Sequence, residues 1–169
     1  MHSRDYYLAL RRRYEPNKAR LVIVAESPPA SGLYFYDEAG RTTEPLFAAI
    51  MRQLKFAPGT KKDGLREMQR GGWLLVDATY QQVDELRSGR DAVIMGDYPL
   101  LHDDLARLLP DRTIPVILLK ANVCRALEAK LIGDGFKVLN CGRVVYFPST
   151  GHQKKFEAQF EACLKSGGL

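Results

Sequence analysis

The chain of 169 residues is sparing in the features that most directly declare a function. It has three cysteines, Cys124, Cys141 and Cys163, and no Cys-x-x-Cys pair. That pattern speaks against a disulfide framework or a zinc ribbon, and three thiolates are too few for a four-thiolate iron–sulfur cluster. The cysteines are read as core or bland positions in a reducing cytoplasm. No apolar run approaches the roughly 18–20 residues that span a bilayer. The opening Met1-His2-Ser3-Arg4-Asp5-Tyr6 lacks the apolar core of a signal peptide. Gly-x-Gly-x-x-Gly, Walker, His-Glu-x-x-His and nucleophile-elbow patterns are missing, so none of the common dinucleotide, NTP, zinc-protease or serine-hydrolase signatures applies. Low-complexity segments, repeats and long linkers are missing as well. The expectation is a protein without metal or cofactor, off the membrane, acting as a monomer.

What is present suits one compact domain over residues 1–169. A chain of this length buries roughly 70% of its unfolded surface, so it needs no staple. Lys and Arg exceed Asp and Glu by 25 − 20 = +5, which favours an anionic partner. Strand-length apolar runs alternate with helical periodicity, the pattern of an α/β fold. Leu21-Val22-Ile23-Val24, Trp73-Leu74-Leu75-Val76, residues 115–119 and residues 143–147 read as the four confident strands, with 137–140 a possible short edge strand. Helices are expected from Ser3 to about Tyr14, through Leu46, Ile50 and Leu54, and before Gly71-Gly72. Others carry Leu101, Leu105 and Leu108 after an Asp97 cap, Val123, Leu127 and Leu131, and finally Phe156, Phe160 and Leu164. Residues 81–95 fit neither period cleanly, and 92–95 reads as strand or loop. Together these elements predict a three-layer α/β/α fold around a central four-stranded parallel sheet.

Ligands of such folds lie outside the carboxyl ends of the strands. Four segments are therefore of interest: residues 25–37, 77–82, 120–122 and 148–155. In the first, Pro28 and Pro29 fix the backbone and hold Glu26 and Ser27 near the sheet edge, while Tyr34 or Phe35 offers a face for stacking a base. The plainer alternative is a structural turn with its aromatics in the core. In the second, Asp77 is placed to accept hydrogen bonds from a ring N–H or exocyclic amine, or else to cap the next turn. In the fourth, Ser149, Thr150 and the amides of the last helix form an anion site, with Lys154 and Lys155 adding charge for phosphate. His152 is a candidate general acid or electrostatic stabiliser. An inert exposed histidine and two solvated lysines are the plainer readings there.

In their order and spacing these segments resemble the uracil-DNA glycosylase superfamily, over about residues 20–160. Ala25-Glu26-Ser27-Pro28-Pro29 is similar to that family's first motif, and Gly32-Leu33-Tyr34-Phe35 to the segment bearing the stacking aromatic, with Phe35 the stacker. Trp73-Leu74-Leu75-Val76-Asp77 is similar to the strand that reads the base edge, with Asp where the family has Asn. Phe147-Pro148-Ser149-Thr150-Gly151 is similar to the last motif, with Phe147 where the family has His. The resemblance implies base flipping and hydrolysis of an N-glycosidic bond in single- or double-stranded DNA. It implies Glu26 or Ser27 as the holder of the attacking water, with His152 a substitute for the missing imidazole, and Phe35 and Asp77 as the base-binding pair. An ionised Asp77 only accepts, so it suits a base edge that presents donors rather than uracil. The alternative is a non-catalytic nucleic-acid or nucleotide-binding protein on the same fold. An enzyme acting on a small nucleoside-like ligand is a third reading.

Overall fold

A computed structural model describes all 169 residues. Its centre is a sheet of four parallel strands, β1 (Leu21–Ala25), β2 (Trp73–Asp77), β3 (Pro115–Leu118) and β4 (Lys137–Val138), in the order β2-β1-β3-β4. Every residue of β1 and β3 is buried, as apolar runs covered on both faces require. Seven helices flank the sheet in three layers: α1 (Arg4–Arg12), α2 (Pro45–Gln53), α3 (Lys61–Arg70), α4 (Arg90–Gly96), α5 (Tyr98–Leu108), α6 (Ala121–Gly133) and α7 (Gln153–Ser166). No helix is long and apolar enough to cross a membrane.

Helix starts follow local chemistry. The Ser3 hydroxyl accepts from the Tyr6 amide at 3.3 Å, and the Thr60 hydroxyl accepts from the Asp63 amide at 3.1 Å, so each satisfies one orphan donor of a first turn. Asp97 precedes α5 as expected but makes no cap. Its carboxylate instead accepts from the Thr79 hydroxyl at 2.5 Å and the Gln81 side-chain amide at 3.1 Å. Residues 92–95, expected as strand or loop, belong to α4, which buries only Ile94.

The fourth strand is not where the sequence predicts it. β4 is the segment marked as a short edge strand, whereas residues 143–147 contribute a single parallel bridge, Val145 to Leu119. Asn140 explains the difference. Its fully buried side-chain amide accepts from the Leu118 N–H at 2.8 Å and donates to the Leu118 carbonyl at 3.0 Å. A side chain thus takes both backbone groups that a neighbouring strand would have paired. Cys141 and Gly142 then turn the chain with positive φ, and it returns to the sheet only at Val145.

Strand order reverses between β1, whose chain continues to β2, and β3 on its other side. In a parallel sheet such a switch point opens a crevice at the carboxyl ends.

Candidate functional site

A cavity of about 330 Å³ occupies that crevice. It is reached by Glu26 and Ser27 after β1, by Asp77 at the end of β2, by Lys120 after β3, and by Phe35 and Phe147 from the loops. Four sequence-predicted residues, Glu26, Ser27, Phe35 and Asp77, therefore share one enclosure. The volume is of the order that holds a small organic ring system rather than a large ligand.

Glu26 is fixed because strand pairing runs on past β1: the Ala78 amide donates to the Ala25 carbonyl at 2.8 Å, and the Thr79 amide to the Glu26 carbonyl at 3.1 Å. Its buried carboxylate accepts from the Lys120 ammonium and, at 2.5 Å, from the Asn122 side-chain amide. Arg90 adds a second cation 3.6 Å away. An isolated carboxyl at this depth would be costly, and these partners answer its oxygens at the cavity wall. Ser27 is half-buried and its hydroxyl accepts from the Val83 amide at 3.4 Å.

Asp77 is buried without a close cation. Burial pushes its carboxyl up from 3.8 to about 7, and Arg11 together with a long hydrogen bond from the Tyr34 hydroxyl (3.4 Å) only partly opposes this. Near neutrality a large fraction of Asp77 carries a proton, and a carboxylic acid donates as well as accepts. It then offers a base edge the same two functions as the amide of an asparagine.

Tyr34 and Phe35 of the first loop both line the cavity and both are buried. Phe35 packs on Tyr36 and Phe47, with centroids 5.1 and 5.8 Å away, so the core and stacking readings are not exclusive. The loop is clamped from outside by Lys61, which is buried. Its ammonium donates to the Tyr34 carbonyl at 2.8 Å and to Glu44 at 2.6 Å.

The last loop is only partly drawn in. Phe147 lines the cavity, but Ser149, Thr150, His152, Lys154 and Lys155 do not. His152 is exposed, its ring stacked at 5.8 Å on Tyr146 and its Nδ1 3.4 Å from the Ser149 hydroxyl. It precedes α7 without capping it. Lys154 and Lys155 are exposed, with the Lys155 ammonium 5.6 Å from the Tyr146 ring.

Sequence reasoning marked the segment 120–122 but gave Lys120 and Asn122 no role, and it did not mark Arg90. Lys120 and Asn122 had a signal: a polar Lys-x-Asn directly follows the apolar run that ends β3. Arg90 had none, because it reaches Glu26 from α4, in the stretch whose periodicity was ambiguous. Lys120 also has φ 83° and ψ 146°, near a region that only glycine occupies freely. Such a conformation costs about 1–3 kcal/mol and persists where its surroundings impose it. No group of three or more His, Cys, Asp or Glu side chains is arranged to hold a metal ion. Neither a protein-family model nor a curated protein sequence matches the chain.

Proposed function

We propose that this protein is a divergent DNA glycosylase that hydrolyses the N-glycosidic bond of a flipped, damaged or deaminated base. The observation that carries the reading is the convergence of Glu26, Ser27, Phe35 and Asp77 on one cavity of about 330 Å³ at the sheet's switch point. The base lies along Phe35 and is read by Asp77, whose partly protonated carboxyl pairs with carbonyl or amino edges. Glu26, bonded to Lys120 and with Arg90 nearby, faces the sugar. There it opposes the positive charge that grows on C1′ and, with the Ser27 hydroxyl, orients the attacking water. Outside the cavity, Ser149, Thr150, Lys154 and Lys155 meet the DNA backbone, and His152 stands with them rather than at the reacting bond.

A non-catalytic nucleic-acid or nucleotide-binding protein on the same fold is the second reading. One observation favours it: the last loop offers the cavity the phenyl ring of Phe147, which neither donates a proton nor holds an anion. The test is incubation of the purified chain with single- and double-stranded oligonucleotides carrying uracil, hypoxanthine, xanthine or mismatched thymine, followed by alkaline cleavage. The glycosylase reading expects abasic sites with at least one of these bases. Salt-sensitive binding without abasic sites would replace it with the second reading, and absence of binding at low salt would remove both.

A further inference from the structure

Lys120 is the only cation that lines the cavity, against four carboxyl side chains, Glu26, Glu44, Asp77 and Asp84. Cleaving an N-glycosidic bond leaves the electron pair on the base, so the enclosure must hold an anion as well as a sugar cation. An ionised carboxylate serves the sugar cation and opposes an anionic base, and Asp77 pairs with the base as a neutral acid without bringing positive charge to it. Phe147 offers no donor, and His152 is outside.

Three features fit Lys120 to that task. Its backbone is held in the left-handed region, where a glycine would sit without strain, yet the position carries the one side chain that brings positive charge into the cavity. The Lys120 amide donates to the Val145 carbonyl at 2.8 Å, which fixes the strained turn to the sheet edge. At the other end, the ammonium is bonded to Glu26 and stands 5.6 Å from the centroid of the Phe147 ring. An ammonium has three donors, and Glu26 is its one hydrogen-bond partner. Arg90 shares the same carboxylate at 3.6 Å, so the charge of Lys120 is not spent on Glu26 alone.

We infer that Lys120 is a catalytic residue of this site, whose ammonium binds the departing base and holds the negative charge that develops on it. The inference rests on the glycosylase reading and adds the group that reading lacks. The C1′–N bond breaks with its electron pair going to the base nitrogen, and the base anion is held by the Lys120 N–H donors. The oxygen of water bonds to C1′, its proton passes through Glu26 to solvent, and the released base takes up a proton from solvent.

The test uses the full-length chain and its K120M and K120R variants in single-turnover base release. Duplex substrates carry either the base that the wild type excises or a halogenated analogue whose ring N–H is more acidic. A lost cation at the leaving group slows K120M by about 100-fold on the parent base. The deficit shrinks to below about tenfold on the analogue, which needs less help to leave, and K120R recovers much of the rate. Affinity for DNA carrying an abasic-site analogue stays within about threefold. A K120M rate within about threefold of wild type overturns the inference. So does an equal loss on both bases, which would make Lys120 only a support for Glu26. Wild-type protein that releases no base overturns the glycosylase reading itself, and the inference falls with it.

Discussion

Arg11 holds two half-buried carboxylates and Lys120 a buried one, and the contrast between their surroundings separates structure from site. Arg11, fully buried in α1, uses all five of its donors: two on Glu15, one on Tyr80 and two on Asp104, at 2.6–3.3 Å. Arg107 closes the same cluster through Glu15 and Asp104. Burial pushes the Asp104 and Glu15 carboxyls up, but the two guanidiniums outweigh it and both end below their ordinary values. No donor of the Arg11 guanidinium is left without a protein acceptor there. Around Glu26 the same ingredients stand beside an open cavity, with a strained backbone and ammonium donors that no second protein acceptor takes. A saturated network fixes the fold, whereas an unsaturated one facing a ring-sized space is available to a ligand.

The largest break in this contrast comes from the closed cluster. Arg11→Met should cost roughly 3–5 kcal/mol in urea unfolding, because Asp104 and Glu15 lose their principal buried partner. A loss below about 1 kcal/mol would show that the cluster does not anchor α1 to α5.

Next in size is Asp77, whose carboxyl is raised by burial. Its native value lies above its unfolded one, so between about pH 4 and pH 7 the unfolded state holds fewer protons and stability falls as pH rises. Asp77→Asn removes this penalty. The variant should gain roughly 2–4 kcal/mol over wild type at pH 8 and almost nothing at pH 4. A difference that does not change with pH would contradict the assignment. Asp104 and Glu15 work in the opposite direction, since their lowered values give stability that is lost only as pH falls below about 4.

A smaller stability effect is expected at Glu26. Its partners Lys120 and Arg90 keep 27% and 35% of their side-chain surface exposed and can rehydrate when the carboxylate goes. Glu26→Gln should therefore cost about 1–2 kcal/mol, less than Arg11→Met, in the same unfolding experiment. The smallest effect belongs to the last loop. Replacing Lys154 and Lys155 by Gln should leave stability within about 0.5 kcal/mol, while the slope of log affinity for DNA against log salt falls by about 2. An unchanged slope would take these lysines off the DNA.

Much of the frame was legible because β1, β2 and β3 are apolar runs too short for helices and too continuous for half-exposed strands. The loops after β1 and β2 could be marked from the same runs, and they bring Glu26, Ser27, Phe35 and Asp77 together. The error over residues 143–147 arose because the Asn140 amide imitates a strand edge, a side-chain event that no period records. The pairing of Arg90 and Lys120 with Glu26 was hidden for a related reason. It joins positions 64 and 94 residues from Glu26, and only the closed sheet makes them neighbours. The raised proton affinity of Asp77 comes from its burial, which residue type and spacing do not record.

The claim that the unsaturated cluster is the working one is tested most directly by single-turnover base release from wild type and Glu26→Gln, measured beside their unfolding curves. The account predicts a wild type that releases at least one base, and a Glu26→Gln variant that folds cooperatively yet releases it about 100-fold more slowly or worse. A folded Glu26→Gln variant that matches the wild-type rate, or a wild type that releases no base, would contradict it.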